Sequence, residues 1–384
     1  MRVTLVIGSL GAGGAERVIS IMANWWATHG HHVTLVTLDA PGQEFFRLDA
    51  RIARVGLGLM KDSGGTWEAL QNNAARIRAL GAVIAASQSD AVISFTDTVN
   101  VLTLLATARL GVPVIVSERV DPRRHGIGTA WSKLRQWTYA RASAVVVQSE
   151  GVADWMRRTM RLDRCEVIPN PVPPLDEQCD SVVGPPSGLA RTEHDGRVAM
   201  AMGRLVEQKG FDLLLQAFSR VAAGNPAWRL VIVGDGPARS PLCALAAELG
   251  VSDRVSFSGR VHNPQAWLHI ADLFVLSSRY EGFPNALLEA MACGVACVSF
   301  DCQSGPADII RPEINGLLVP PEDISALANA LDRLMKSDAE RSRLASRAQD
   351  VLERFGVDRV MGAWDELIAT SARRAGTGRP VALT

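Results

Sequence analysis

Leu273-Phe-Val-Leu-Ser-Ser-Arg-Tyr-Glu-Gly-Phe-Pro-Asn-Ala-Leu-Leu-Glu289 holds in one stretch the unit from which the chain is built. Leu273–Ser277 is an apolar run of strand length, a polar loop containing Glu281 and Gly282 follows, and a helical pattern then runs over Pro284–Cys293. Proline suits a first helical turn, where a missing N–H costs nothing. The amides of Asn285, Ala286 and Leu287 fall in that turn without carbonyl partners inside the helix, which predicts an anion site. Glu289 lies among Ala286, Leu287, Leu288, Ala290, Met291 and Ala292. An unpaired carboxylate is costly there, so two hydroxyl partners such as a ribose edge would explain it, and a buried salt bridge is the other reading.

The same strand-loop-helix unit recurs on both sides of this stretch. In the second half, strands are expected at Val198–Met202, Leu230–Gly234, Val255–Ser258, Val295–Phe300 and Gly316–Val319, with helices at Phe211–Ala223 and Pro241–Leu249. In the first half, strands at Val3–Ile7, Val33–Leu38, Ala91–Phe95, Val114–Ser117 and Ala144–Gln148 alternate with helices at Gly14–Gly30, Trp67–Gly81 and Val99–Leu110. Such alternation predicts an α/β protein with two doubly wound, Rossmann-like parallel sheets. We expect an N-terminal domain over 1–170 and a Pro-, Gly- and Ser-rich linker over 171–196. A C-terminal domain over 197–355 and a final helical segment over 356–384, packing back on the first domain with a frayed tail from Ala375, complete the expectation. Ligands of open parallel sheets bind at the carboxyl ends of the strands, so two facing sheets predict a cleft.

Composition narrows the function. The chain has 384 residues, is 47% hydrophobic and 21% charged, and has a formal net charge of zero, a balance that argues against nucleic acid as the main partner. Residues 1–170 nevertheless carry 19 Lys and Arg against 14 Asp and Glu. Much of that excess lies between Arg119 and Arg141, where Arg119, Arg123, Arg124, Lys133, Arg135 and Arg141 are interleaved with Trp131, Trp137 and Tyr139. Basic residues with aromatics suit a membrane surface or anionic head group; a solvated helix face with aromatics turned to the core is the alternative. The six cysteines form no CxxC pair and no zinc spacing, so reduced thiols and no metal site are expected. Met1-Arg2 and Val3–Ile7 superficially resemble a signal peptide but read as a first strand. The longest apolar candidate for a membrane span, Val92–Val116, is interrupted by Asp97, Asn100 and Arg109, so any membrane contact is expected to be peripheral.

Two further loops carry chemistry. Gly8-Ser-Leu-Gly-Ala-Gly-Gly14 joins the first strand to the first helix, where amides at the positive helix end could hold a phosphate or a sugar oxygen. Gly11, Gly13 and Glu16 fail the last glycine of GxGxxG, although Asp39 ends the second strand where a dinucleotide's ribose-binding acid would stand. Gly203-Arg204-Leu205 and Lys209-Gly210 follow the first strand of the second half. A planar guanidinium and a mobile ammonium suit the two groups of a diphosphate, and cations at a helix start oppose the helix dipole unless an anion joins them. Glu281 and Glu289 would then grip opposite ends of one nucleotide sugar.

The spacing Glu281-x7-Glu289 behind Gly-Arg-Leu and Lys-Gly resembles the retaining glycosyltransferases of family 4, which have the GT-B fold. The likeness covers nearly the whole chain, including Gly13-Gly-Ala-Glu-Arg17, Val231-Ile-Val-Gly-Asp-Gly236, Ser258-Gly-Arg260 and Gly294-Val-Ala-Cys-Val-Ser299. It implies that Arg204 and Lys209 contact the diphosphate, that Glu289 binds ribose hydroxyls and that Glu281 lies beside the transferred sugar. The amides of Gly282 and Phe283 would meet the sugar's hydroxyls, those of Asn285, Ala286 and Leu287 the phosphates, Val261 the base, and the loop of Gly11, Gly13 and Gly14 would close over the donor. Such enzymes take the nucleotide sugar as co-substrate with no cofactor and no metal, and the missing Asp-x-Asp agrees with that implication.

A narrower resemblance rests on Gly13–Ser20, Val116-Ser-Glu-Arg119, Val147-Gln-Ser-Glu-Gly151 and Phe300–Arg311. These look like bacterial members that build glycan repeat units on a polyprenyl-diphosphate carrier, usually from UDP-hexoses or UDP-N-acetylhexosamines, at the cytoplasmic face of the inner membrane. The expected partners are thus a nucleotide-sugar donor, a lipid-linked glycan acceptor and the membrane surface. Many relatives carry a catalytic-site His after the strand matching Val114–Ser117; here Glu118-Arg119 stand instead, and His125 lies too far along the chain to take that role by position. Glu118 and Arg119 are candidates for donor-sugar or acceptor contacts. Asp97, at the end of Ala91–Phe95, is a candidate acceptor-side carboxylate or a helix N-cap. Arg119, Arg123, Arg124, Lys133 and Arg135 are expected to meet the acceptor's diphosphate or the membrane. A nucleotide-sugar epimerase of the same architecture and a non-catalytic nucleotide-sugar or glycan-binding protein remain as alternatives.

Overall fold

The computed structural model describes residues 1–42, 44–61, 63–173, 196–261, 263–374 and 376. Most of the expected linker over 171–196 and of the expected frayed tail lies outside the described residues. The chain divides into two compact units, Met1–Pro171 with Val357–Thr384, and Val172–Gly356.

The first unit contains β1 (Arg2–Ile7), α1 (Gly14–Thr28), β2 (His32–Thr37), β3 (Ala53–Gly56), α2 (Thr66–Ser87), β4 (Ala91–Phe95), α3 (Asp97–Ala106), β5 (Val114–Ser117), α4 (Thr129–Tyr139), β6 (Ala144–Val147), α5 (Glu150–Met160) and β7 (Cys165–Val167). The second contains β8 (Arg197–Met202), α6 (Phe211–Ala222), β9 (Trp228–Val233), α7 (Arg239–Glu248), β10 (Val255–Gly259), α8 (Pro264–Leu268), β11 (Leu273–Leu276), α9 (Asn285–Ala292), β12 (Ala296–Phe300), α10 (Pro306–Ile309), β13 (Leu317–Val319), α11 (Ile324–Lys336), α12 (Asp338–Ala348) and α13 (Asp350–Phe355). Helix α14 (Val357–Arg374) returns to the first unit.

Both sheets are parallel, with orders β3-β2-β1-β4-β5-β6-β7 and β10-β9-β8-β11-β12-β13. Their central strands are apolar on both faces because helices cover both: every residue of β4 and of β12 is buried. In the first unit Leu5, Ile7 and Ile93 pack toward α1 and α14, while Val6, Val36 and Val92 pack toward α2 through α5. The apolar stripe of α1, Val18, Ile19, Met22, Ala23, Trp26 and Ala27, has helical spacing and is buried. The stripe of α14 matches it with Val360, Met361, Trp364 and Ile368, and the buried Trp26 indole donates from Nε1 to Asp365 Oδ1 at 2.8 Å.

The strand order reverses direction between β1 and β4 and between β8 and β11. There the loops leave toward opposite faces and open the crevice in which sheets of this kind bind ligands. In the second unit, bare backbone lets the loops at that point approach one another. A Cβ on Gly210, at φ +59°, would stand 2.1 Å from the Ser277 carbonyl oxygen, and one on Gly234, at φ +140°, 1.9 Å from that of Gly203. The sequence reading passed over β3, β7 and α5, two short strands and a helix whose exposed face is polar, and weighed a helix at α4 only as the alternative to a membrane surface.

Candidate functional site

In the second unit the predicted donor residues gather at the β8/β11 reversal. Lys209, on the turn after β8, places Nζ 2.6 Å from Glu281 Oε1 on the loop after β11. Ser278 donates its hydroxyl to the same carboxylate oxygen at 2.6 Å, Ser277 Oγ donates to the Lys209 carbonyl at 2.9 Å, and Ser304 Oγ donates to the Glu281 carbonyl at 3.1 Å. Glu281 is 6% exposed, so the ion pair is set in a largely dry edge of the sheet, where charge interactions are stronger than in water. Arg204 is exposed and its guanidinium forms no ion pair among the described residues. The site therefore presents one uncommitted cation and one whose partner an incoming anion can replace.

Helix α9 starts at Asn285, one residue later than expected, with Pro284 as its N-cap at ψ 99°. Its first backbone bond runs from Leu288 N–H to the Pro284 carbonyl at 3.2 Å, so the amides of Ala286 and Leu287 lie outside the helical ladder. Gly282 and Phe283 lead into that turn, and Gly305, at φ +98°, lies against them: a Cβ there would meet Pro284 Cδ at 2.7 Å. Glu289 is 6% exposed within α9. Val261 is half-buried just after β10, against the core beneath β9 and α9.

In the first unit the glycine loop differs from the expectation of an open phosphate cradle. The Glu16 carboxylate, in the first turn of α1, folds back so far that a Cβ on Gly13 would stand 2.1 Å from Glu16 Oε2, and Ser9 Oγ reaches Glu16 Oε1 at 3.5 Å. The positive end of α1 at Gly13 and Gly14 thus already has a carboxylate over it, whereas Gly11 has open space where its Cβ would be. Asp39 is also committed: the Arg54 guanidinium sits 3.3 Å from its Oδ1 and the Thr37 hydroxyl donates to the same oxygen, which argues against a dinucleotide ribose there.

Asp97 opens α3 behind Thr96, whose φ of +73° is strained for a β-branched residue. Asp97 is not the cap itself, since its Oδ1 accepts from the next amide, Thr98 N–H, at 2.6 Å. Its Oδ2 lies 3.4 Å from His125 Nε2, so the fold brings to Asp97 the histidine that chain position had set aside.

The acceptor or membrane set needs two corrections. Arg135 is 6% exposed and pairs at 3.5 Å with Glu118, itself 3% exposed, which also accepts from Tyr139 Oη at 2.7 Å. Asn100 Nδ2 donates to Tyr139 Oη at 2.9 Å and to the Ser117 carbonyl at 3.0 Å, so these groups form a buried network and not a surface. Burial raises the Glu118 carboxyl to about 7, helped by the charge of Asp97 and opposed by Arg135 and Tyr139. Arg123 is tied to the fully buried Asp121 by Nη2 at 2.6 Å and Nε at 2.9 Å. Arg124 and Lys133 remain exposed. The sequence reading placed Trp137 and Arg141 in the basic, aromatic stretch without counting them in the acceptor or membrane set; in the structure the Arg141 guanidinium stacks 3.6 Å from the ring of Trp137, which is 52% exposed. It missed entirely an open cavity of about 510 Å³ lined by Glu44–Asp49, Ile52 and Arg54, for which no motif gave a signal.

The chain is similar to known proteins. Residues 13–171 match the family described as Glycosyl transferase 4-like domain, and residues 190–351 match Glycosyl transferases group 1. The chain belongs to these glycosyltransferases. It is 27% identical over 370 residues, 96% of this chain and 98% of the other, to the Campylobacter jejuni GalNAc-alpha-(1->4)-GalNAc-alpha-(1->3)-diNAcBac-PP-undecaprenol alpha-1,4-N-acetyl-D-galactosaminyltransferase. It is 35% identical over 242 residues to an exopolysaccharide phosphotransferase of Streptomyces coelicolor; that match covers 62% of this chain and spans 24% of the other protein. Among solved structures, Anabaena HepE in complex with UDP has a TM-score of 0.74 at 19% identity, covering 96% of this chain and 100% of that one. The fold is therefore that of the GT-B glycosyltransferases.

Proposed function

We propose that the protein is a retaining, metal-independent glycosyltransferase that moves a hexose or N-acetylhexosamine from a UDP-sugar to a lipid-linked or polysaccharide acceptor in cell-surface glycan biosynthesis. The observation that carries this is the Lys209–Glu281 pair at the β8/β11 reversal, beside the uncommitted Arg204 and the first turn of α9. The donor's diphosphate takes the ammonium of Lys209 and the fork of Arg204, with the amides of Ala286 and Leu287 on its oxygens. Glu281, relieved of part of its bond to Lys209, lies beside the sugar, and Glu289 holds the ribose.

In this mechanism the acceptor hydroxyl oxygen bonds to the anomeric carbon on the face from which the nucleotide departs. The bond from that carbon to the phosphate oxygen breaks, and the hydroxyl proton passes to the departing phosphate. No side chain forms a bond to the sugar. Arg204 and Lys209 stabilise the charge that grows on the leaving diphosphate, which is where fixed cations accelerate such a step most.

Two comparisons support the substrate class: HepE is solved with UDP, and the Campylobacter relative is named for an undecaprenol-PP-linked acceptor. Peripheral attachment at the cytoplasmic face of the inner membrane completes the reading. Among the described residues no helix is long and apolar enough to cross a membrane. Arg124, Lys133, Trp137 and Arg141 supply an exposed basic and aromatic surface.

Incubation with radiolabelled UDP-sugars and a bacterial membrane extract tests the proposal, with label expected in the lipid fraction and lost in Glu281→Gln while UDP still binds. Epimerised donor without lipid product would replace the reading with an epimerase. Binding without turnover would replace it with a non-catalytic binding protein.

A further inference from the structure

Among the described residues Arg119 is a cation without an anion. Its Nη1 donates to Ser117 Oγ at 3.3 Å, and its guanidinium carbon lies 4.0 Å from the centre of the Phe95 ring. Its Nη2 is closed off from solvent and has no hydrogen-bond partner among the described residues, while the residue as a whole keeps some exposed surface. Two other arginines of this segment each reach a carboxyl group, Arg123 that of Asp121 and Arg135 that of Glu118, although Arg135 Nε, like Arg119 Nη2, is buried without a hydrogen-bond partner. Burial alone pulls the Arg119 guanidinium down to about 9, with no acidic side chain acting against it, so it stays charged at neutral pH.

The Phe95 ring does not resolve this. An aromatic face covers the flat side of a guanidinium, whereas its N–H groups point outward in the plane. A buried donor on a charged group that gains no acceptor costs more than most surface changes, and one that persists needs an explanation. Arg119 stands just past the carboxyl end of β5, next to β4 at the strand reversal of its sheet, on the edge where ligands of such sheets collect.

We propose that Arg119 receives an oxyanion carried by the acceptor, either a phosphate of a diphosphate carrier or the carboxylate of an acidic sugar. The inference rests on the transferase reading above, in which the donor's own phosphates are taken by Arg204 and Lys209, leaving the acceptor as the source of the anion. A planar fork with free in-plane donors fits both groups, and both are fully charged at neutral pH. Arg119 then sets which acceptors are used, by binding a charge that a neutral glycan lacks.

Equilibrium binding at saturating UDP tests this, because UDP fills the donor site and leaves only other anion sites open. Inorganic pyrophosphate and glucuronate are titrated separately into wild type, Arg119→Met and Arg119→Lys. One of the two probes should bind wild type, and which one identifies the source of the anion. Arg119→Met should weaken it at least tenfold and Arg119→Lys less, with UDP affinity unchanged in all three. Should Arg119→Met not fold, Arg119→Lys still decides, since loss of the fork should raise acceptor KM severalfold while donor KM stays fixed. Equal affinity in wild type and the folded variants, or no anion binding at UDP saturation, overturns the inference. Absence of UDP binding would instead sink the transferase reading on which it rests.

Discussion

Before any ligand arrives, the Lys209 ammonium has one carboxylate within reach, and Ser278 shares that oxygen. Much of this was legible in the sequence, because Lys209, Glu281 and Glu289 sit at fixed distances from strand ends and helix starts. What lay beyond local spacing was whether a charged side chain is already answered by another. Arg135 and Glu118 are 17 residues apart and meet only because α4, packed against α3, brings Arg135 to the end of β5. The Glu118 carboxyl supplies a prediction of its own. Folded, it holds its proton up to about 7, whereas the ordinary value is 4.5. Between these values the folded chain binds more protons than the unfolded one, so stability falls as pH rises and the loss is complete above pH 7. Glu118→Gln should remove this decline: urea unfolding at pH 5 and pH 7.5 should show wild type losing about 2 kcal/mol more than the variant between the two. Parallel pH profiles would mean that the network keeps Glu118 ionised.

At the scale of an element, α4 shows how burial sorts a basic segment. Its face toward the sheet carries Arg135, Thr138 and Tyr139, and its outer face carries Lys133, Leu134 and Trp137, with Arg141 just beyond its end. A count of charges between Arg119 and Arg141 could not separate these faces; helical periodicity read together with the buried Glu118 does. If this face meets an anionic membrane, Lys133→Gln, Trp137→Ser and Arg141→Gln together should lower binding to liposomes rich in anionic lipid at low salt. Each cation near such a surface contributes about 1 kcal/mol, so a loss near or above tenfold is expected. Arg123→Gln, which breaks a pair with buried Asp121, should act on stability instead. Liposome sedimentation that does not distinguish the triple variant from wild type would make α4 an ordinary solvated helix.

For the molecule as a whole, the alternation of apolar runs made both sheets legible, since a parallel strand buried on two faces leaves an unbroken apolar signature. Strands β3 and β7 escaped because they are short and only partly buried. The return of α14 to the first unit makes the chain's end part of the beginning's core. Truncation after Gly356 removes Val360, Met361, Trp364 and Ile368 from that core. At about 1.5–3 kcal/mol per large buried side chain, the loss approaches the whole stability of an ordinary domain. The truncated chain should bind a hydrophobic dye and lose one of two thermal transitions, keeping that of the second unit. Calorimetry showing both transitions intact would mean that α14 is dispensable.

The central claim is that the β8/β11 reversal holds a nucleotide diphosphate through Lys209 and Arg204. Calorimetric titration of UDP into wild type and Lys209→Ala tests it most directly. Loss of a charge-assisted bond to phosphate should weaken binding at least tenfold, with one site per chain in wild type. Equal affinity in the two proteins, or no binding of UDP to wild type, would contradict the claim.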